Sequence, residues 1–367
     1  MTPRGCALLN VVRQPQSAVS LSSAQLEQVL NQARTSNTLA MLAYRMQRED
    51  LLERLPLWFV RHLRSAMRSA EAVHRSVRWE VYNICRALRN IDTPVLFLKG
   101  AAYILARNVA AQGRVFSDVD FLVPKQRIEE VEKALLSHGW LSTNMSRYDD
   151  RYYRQWMHEV PPLKHVKRKS VLDVHHAILP TTTKATPSTD SLIHDATLLD
   201  CEFVDDEIYV LSPIDMLLHS AAHLFYDGEL EHGFRDMMDI QHLLEQYCND
   251  EDSARRLVTR ALELQLEKPI FYALRYCHKM FNQDLPPSLR DFAVHNQSRV
   301  VSPFWSVIMD RLFARALRPK HKDCDLFGSA AARWLLYVRS HYLRMPWYLL
   351  LPHLIRKALL PKHAQAT

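Results

Sequence analysis

The feature that most constrains the fold is a run of apolar residues at helical spacing over residues 57–90, which ends abruptly. Apolar side chains recur every three or four residues through this run, as on the buried face of an amphipathic helix. Thr93 and Pro94 then break the pattern, because a residue before proline is biased away from the helical conformation. The spacing predicts one long helix, or two stacked helices, ending near Ile91.

A different pattern begins at Asp92. Short apolar runs now alternate with helical spacing, which indicates strands and helices in turn. The pattern predicts strands at 95–98, 118–123, near 140–144 and at 170–178, with helices at 101–109 and 124–137. A basic hairpin at 164–169 leads into the last strand.

Helical spacing returns after residue 180 and continues to the end of the chain. Ser212 and Pro213 mark one helix start, since serine caps helices and proline suits the first helical position. A small hairpin is predicted at 203–211. Only 7 glycines occur in 367 residues, which favours helices over tight hairpins. We predict an α+β fold with a small mixed-sheet core at 92–180, an N-terminal helical region at 1–91 and a larger C-terminal helical module at 181–367.

The charge balance points to an anionic ligand. A formal charge of +7 suits a nucleotide, a nucleic acid or an anionic membrane surface. The six cysteines show no paired metal spacing and are predicted to be reduced thiols: Cys6, Cys85, Cys201, Cys248, Cys277 and Cys324. No apolar run reaches the length of a membrane span, and a cytoplasmic location is predicted.

The chemistry-bearing motif is Asp118-Val119-Asp120, directly before an apolar strand. Alternation along a strand puts both carboxylates on one face. Two carboxylates this close repel each other unless a cation lies between them, and Mg²⁺ bound by carboxylates and substrate phosphates is a common solution. An acidic loop before a strand is the alternative for an isolated motif of this kind.

Two further segments support the metal interpretation. Lys99 and Gly100 stand where a strand turns into a helix, a place where backbone amides can hold phosphate. An ordinary strand-to-helix corner would look the same. Asp173 and His175 share one face of a predicted strand. If that strand pairs beside the first motif, three carboxylates converge; a solvated strand face is the alternative.

These residues resemble the uncharacterised nucleotidyltransferase family of the polymerase β-like superfamily. The resemblance covers residues 95–244 and rests on LKGAAYILARNVAAQGRVFSDVDFLVP, VLDVHHAIL, LSPIDMLLHSAAHLF and FRDMMDIQHLL. It implies that Asp118, Asp120 and Asp173 bind Mg²⁺, or Mn²⁺, and that Asp173 activates the attacking hydroxyl. It also implies that Lys99, Gly100 and Arg114 contact the nucleotide. This chain has Lys99-Gly100 where other superfamily members have Gly-Ser.

A second polar cluster is predicted in the helical module. His219 and His223 share a helix face, and Arg235, Asp236 and Asp239 are close together on the next helix. We predict that His175, His223, Arg235 and Asp239 contact the nucleotide. A two-histidine zinc site and plain helix-to-helix hydrogen bonds are the alternatives.

The C-terminal segment combines aromatic and basic residues, among them Trp347, Tyr348, Arg356, Lys357 and Lys362. Such a segment could lie on an anionic membrane, grip RNA, or form a terminal core helix with a solvated basic side.

The predicted activity is Mg²⁺-dependent transfer of a nucleoside monophosphate from a nucleoside triphosphate to a hydroxyl-bearing small molecule, protein or RNA, with release of pyrophosphate. Two other classes fit parts of the pattern. One is a non-catalytic nucleotide- or RNA-binding scaffold, which gains nothing from three carboxylates. The other is a glycosyltransferase with a metal-binding Asp-x-Asp motif, which would need a larger α/β domain.

Overall fold

The computed structural model describes residues 6–142, 153, 157–204, 206–227, 230–295 and 300–344. Helices predominate in this part of the chain, and one seven-stranded mixed sheet lies among them. The predicted α+β fold class is confirmed.

Four helices form the N-terminal region: α1 (Ala7–Arg13), α2 (Ser23–Thr35), α3 (Leu39–Arg48) and α4 (Leu57–Leu88). Ser22 caps α2 in a reciprocal capping box with Gln25. The apolar run at 57–90 forms one helix of 32 residues rather than two stacked ones. Leu63, Val77, Val81 and Ile84 on this helix are buried, as its spacing predicts.

The sheet contains seven strands in the order β3-β4-β5-β2-β1-β7-β6. These strands are β1 (Leu96–Phe97), β2 (Asp118–Leu122), β3 (Trp140–Ser142), β4 (Leu163–His165), β5 (Val171–His175), β6 (Thr197–Leu199) and β7 (Ile208–Val210). β2 is parallel to β5 and β1 is parallel to β7, whereas the other neighbours are antiparallel. Helix α5 (Lys99–Leu105) follows β1, and α6 (Ile128–Ser137) follows β2.

The sheet continues beyond the predicted core boundary at residue 180. β6 and β7 pair as a hairpin, and β7 hydrogen-bonds to β1 in the middle of the sheet. The predicted hairpin at 203–211 therefore contains the second strand, whereas its partner strand lies earlier, at Thr197–Leu199.

The remaining helices are α7 (Thr189–His194), α8 (Pro213–Ala222), α9 (Gly233–Tyr247), α10 (Glu251–Glu263), α11 (Glu267–Phe281), α12 (Pro287–Arg290), α13 (Pro303–Ala316) and α14 (Ser329–Arg344). Ser212 caps α8, with Pro213 at its first position, as the sequence predicts. One continuous hydrophobic core includes residues of all three predicted regions, from Leu8 to Leu336.

Cys6 and Cys324 form a disulfide that joins the start of α1 to the loop before α14. The prediction of six reduced thiols is therefore wrong for this pair. The other four cysteines are free. No cysteine spacing indicates a bond that spans 318 residues.

None of the described helices combines the length and apolar composition that a membrane span requires. The aromatic and basic C-terminal segment, at residues 345–367, lies outside the described residues.

Candidate active site

Strand pairing brings the three predicted aspartates together. β2 and β5 run parallel with Asp120 directly opposite Asp173, and Asp118 is two residues earlier on the same face of β2. The apolar residues Val119 and Phe121 point to the other face and are buried. The two strands do pair, so the condition for convergence is met and three carboxylates lie on one patch of the sheet.

Among the carboxylates of this cluster, Asp120 has its negative charge best balanced by neighbouring groups. Its Oδ1 atom accepts from Lys99 Nζ at 3.0 Å and lies 3.1 Å from His175 Nε2. Burial alone would raise the pKa of Asp120, but Lys99 and His175 hold it below its ordinary value. Asp120 is therefore ionised at neutral pH.

Lys99 reaches this site from a strained backbone position. Its φ angle is +42°, in a region that residues other than glycine seldom adopt. Gly100 follows it, and a side chain at residue 100 would overlap the Phe116 ring, whose nearest atoms would lie 1.9 Å from the added Cβ. The absence of a side chain at Gly100 thus allows Phe116 to pack against the start of α5.

Asp173 and Asp118 are less well compensated. Asp173 Oδ1 is buried and has no hydrogen-bond partner. Burial, together with the charges of Asp120 and Asp118, raises the pKa of Asp173 to about 7. Burial and Asp120 also raise the pKa of Asp118, although Lys99 and Arg114 oppose this shift. The cluster holds three carboxylates against the single ammonium group of Lys99.

This donor set fits a hard divalent cation. Carboxylate oxygens are the ligands that Mg²⁺ takes from proteins, usually one or two together with substrate phosphates. Burying a carboxylate oxygen without a hydrogen-bond partner costs free energy unless a ligand binds to that oxygen. Asp118, Asp120 and Asp173 are therefore the residues that could hold such an ion.

Two neighbouring residues, His158 and Glu159, were not identified from the sequence. Glu159 pairs with His175 in an isolated antiparallel bridge, and its Oε2 lies 3.4 Å from His175 Nδ1. The rings of His158 and His175 are 5.1 Å apart. The sequence signal was weak: a His-Glu pair three residues before two consecutive prolines, with no recognised metal-binding spacing.

Arg114 lies in a buried ion-pair network rather than at an open surface. Its Nε and Nη2 donate to Asp239 Oδ2 at 2.7 Å and to Asp236 Oδ1 at 3.1 Å. Arg235 also bonds to Asp236. The guanidinium of Arg114 stacks on Phe116, with the ring centre 5.1 Å away. The network ties the loop before β2 to α9.

Gly113 explains how the loop reaches this position. Its φ angle is +75°, and a Cβ atom there would lie 2.3 Å from the backbone of Ala40 in α3. A close backbone approach of this kind requires glycine. His74 on α4 also bonds to the carbonyl oxygen of Arg114, at 2.8 Å. The predicted nucleotide contacts of Arg114, Arg235 and Asp239 stay predictions, since these side chains contact one another here.

Helix α8 closes one side of the site. Tyr103 on α5 and Ser220 on α8 share a hydrogen bond of 2.5 Å. His219 is buried, and burial, followed by the charges of Lys99 and His223, keeps its pKa well below the ordinary value. His219 is therefore a neutral imidazole close to the carboxylate cluster. His223, on the next turn, contributes to the pKa shifts of both His219 and Asp236.

Comparisons with known proteins found a matching family and a structural neighbour. The model of a family described as uncharacterised nucleotidyltransferase matches residues 22–282. The crystal structure of an antigenic nucleotidyltransferase-like protein from Paracoccidioides brasiliensis is similar at 12% identity with a TM-score of 0.31, over 62% of this chain and 96% of that one. No curated protein matches the sequence significantly.

Proposed function

This chain belongs to the family of uncharacterised nucleotidyltransferases, and we propose that it transfers a nucleoside monophosphate from a nucleoside triphosphate to a hydroxyl-bearing acceptor. Asp118, Asp120 and Asp173 would hold the divalent ion, Mg²⁺ or Mn²⁺. The acceptor would be a small molecule, a protein or an RNA, and pyrophosphate would be the second product.

One observation carries the proposal: three carboxylates converge on one face of β2 and β5, and a buried oxygen of Asp173 has no partner. A pocket that only bound anions would be lined with cations, and carboxylates would oppose binding. A pocket that binds a triphosphate with its metal ion needs carboxylates for that ion. The charge deficit thus favours a metal–nucleotide site over a simple anion site.

The residues have separate roles in this proposal. Bound Mg²⁺ would neutralise the triphosphate and lower the pKa of the attacking hydroxyl. Asp173 would take the proton from the acceptor hydroxyl, since its Oδ1 atom has no hydrogen-bond partner within the chain. Lys99, whose side chain retains 23% exposure, would exchange its contact with Asp120 for a phosphate oxygen.

Helix α8 would close the nucleotide site, with His223 contacting the nucleotide. His175 would orient Asp120, since its Nε2 lies 3.1 Å from the carboxylate. The Arg114 network would hold α9 against the loop before β2, so that Asp118 and Asp120 keep their positions. Gly100 would support phosphate binding by letting the start of α5 pack closely on Phe116.

The test is calorimetric titration with ATP, GTP, CTP and UTP, each in Mg²⁺ and in EDTA. We expect one triphosphate to bind in Mg²⁺ only, and binding to be lost in the Asp118→Ala/Asp120→Ala variant. A matched control is Asp252→Ala/Asp284→Ala, which removes two exposed carboxylates and should bind normally. Unchanged binding by the Asp118→Ala/Asp120→Ala variant would refute the metal assignment.

A non-catalytic scaffold is the second candidate, and one observation favours it: Lys99 and His175 already compensate Asp120 without a metal. A scaffold of this kind would bind the nucleotide equally well in Mg²⁺ and in EDTA. It would also release no pyrophosphate with any acceptor. The same titration, followed by a pyrophosphate assay, therefore separates the two candidates.

A further inference from the structure

A second group of metal-ligating side chains lies beside the carboxylate cluster. Among the described residues, only His158, Glu159 and His175 bring three ligand atoms within 4.8 Å of one another. The three aspartates are not gathered this tightly. We propose that His158, Glu159 and His175 form a second metal site, which binds a transition ion such as Zn²⁺ and is distinct from the Mg²⁺ site.

The chemistry of the donors selects the class of ion. Two imidazoles and one carboxylate are ligands for Zn²⁺ and related first-row ions, whereas Mg²⁺ prefers oxygen ligands alone. A zinc site with three protein ligands keeps a fourth position for water or substrate. The nitrogen-rich group thus differs in preference from the all-oxygen group of Asp118, Asp120 and Asp173.

The spacing fits this assignment. His175 Nδ1 and Glu159 Oε2 are 3.4 Å apart. Two ligands at zinc distances of about 2.1 Å, in a tetrahedral arrangement, are separated by roughly 3.4 Å. The distance between His175 Nδ1 and Glu159 Oε2 therefore matches the distance between two ligands of one zinc ion.

The backbone holds the ligands in place. Residues 158–160 run antiparallel to the end of β5, with His176 N bonded to His158 O at 2.8 Å and Val160 N bonded to Val174 O at 3.0 Å. Pro161 and Pro162 follow, and the register shifts by one residue between this segment and β4. This bulge places Glu159 opposite His175, where its side chain reaches the imidazole.

His158 supplies an independent sign of a missing ligand. Its Nδ1 atom is buried and has no hydrogen-bond partner. A buried imidazole nitrogen in this state is normally satisfied by water, by a protein group or by a metal.

His175 connects the two metal sites. Its Nδ1 faces Glu159 and its Nε2 lies 3.1 Å from Asp120 Oδ1. A metal-ligating histidine commonly donates its other ring N–H to a carboxylate, which fixes the tautomer and the ring orientation. Asp120 would thus support the transition-metal site while it binds Mg²⁺, and occupancy of the second site would hold His175 as a donor to Asp120.

The test uses tag-free full-length protein titrated with Zn²⁺, and with Co²⁺ for its visible absorption, in excess Mg²⁺. We expect one Zn²⁺ per chain. His158→Ala and the nearly isosteric Glu159→Gln should each weaken binding more than about 100-fold, since even a supporting group is worth 10–100-fold. Asp120→Asn should weaken it by about 10–100-fold.

His176→Ala is the matched control, because His176 directly follows β5 but is not part of the group. It should bind Zn²⁺ like the wild type, and Asp118→Asn should do so too. Circular dichroism and thermal melting establish that each variant is folded, and Glu159→Gln carries the test if His158→Ala is not. Wild-type protein that binds no Zn²⁺, or a folded Glu159→Gln variant that binds it unchanged, would show that Glu159 and His175 form only a hydrogen bond.

Discussion

Two groups of buried carboxylates, on either side of the loop before β2, differ in how their charge is balanced. In the Arg114 network, Asp236 and Asp239 face the two guanidinium groups of Arg114 and Arg235. In the carboxylate cluster, Asp118, Asp120 and Asp173 face one ammonium group, from Lys99. The two carboxylates of the first group thus face two cations, although Asp239 Oδ1 has no hydrogen-bond partner, whereas we propose that the second group takes a further cation.

This difference in charge balance distinguishes a structural cluster of carboxylates from a candidate metal-binding site. Both groups bury carboxylates, and burial raises the pKa of Asp239 to about 6 as well as that of Asp173 to about 7. A perturbed pKa alone therefore does not separate them. The balance of charge separates the two groups. The following predictions test this difference in charge balance.

The largest effect is expected from removing the ionisable group of Asp173. Asp173→Asn should slow pyrophosphate release by about 100- to 10,000-fold, the usual contribution of a general base. The same variant should unfold in urea at no lower concentration than the wild type, because it removes an uncompensated buried charge. Asp239→Asn is the comparison, and it should lower the free energy of unfolding by about 1.5–3 kcal/mol through the loss of a charged hydrogen bond. Equal destabilisation by both variants would remove the distinction.

Breaking the balanced group should cost the most stability. Arg114→Met leaves Asp239 without its guanidinium partner and should lower the free energy of unfolding by about 3–5 kcal/mol. Arg127→Met, which removes an exposed pair with Glu130, should cost no more than about 1 kcal/mol. Urea denaturation measures both variants. A loss of less than about 1 kcal/mol for Arg114→Met would mean that the network is not structural.

Packing at Gly100 should have a smaller effect. Gly100→Ala forces a methyl group into the Phe116 ring and should cost about 1–3 kcal/mol. The cost in the Gly100→Ala/Phe116→Ala double variant should be less than the sum of the two single costs, because the ring no longer occupies the space. Strict additivity, measured by urea denaturation, would show that Gly100 does not act through Phe116.

The pH dependence of stability tests the raised pKa of Asp173. The folded-state pKa of Asp173, about 7, lies above the unfolded value of about 3.9, so the folded state binds the proton more tightly. Relative to Asp173→Asn, the wild type should lose about 1.4 kcal/mol of stability per pH unit as the pH rises from about 4 to 7. Parallel curves of unfolding free energy against pH would contradict the raised pKa.

Local sequence patterns predicted much of the fold. Alternation along β2 put Asp118 and Asp120 on one face, and the apolar run at 57–90 predicted α4. Local patterns alone did not predict that β2 pairs with β5, because the register of the two strands depends on the helix and the hairpin between them. β7, which completes the sheet, could not be assigned to it because nothing local indicates which strand it joins.

Contacts between distant segments explain what the sequence did not predict. Arg114 bonds to Asp239 across 125 residues, so the sequence could mark both as polar but could not pair them. His158 and Glu159 can be recognised as possible metal ligands only when β5 places His175 beside them. Gly100 matched a phosphate-binding turn, yet the space beside it holds the Phe116 ring.

Anomalous diffraction would show whether Asp118, Asp120 and Asp173 share one divalent ion, as we propose. Crystals would be soaked with Mn²⁺ and a non-hydrolysable analogue of the preferred triphosphate. We expect an anomalous peak in contact with oxygens of all three aspartates, with Lys99 Nζ turned from Asp120 towards a phosphate. A bound nucleotide with no peak at these carboxylates, and with Lys99 still bonded to Asp120, would contradict it.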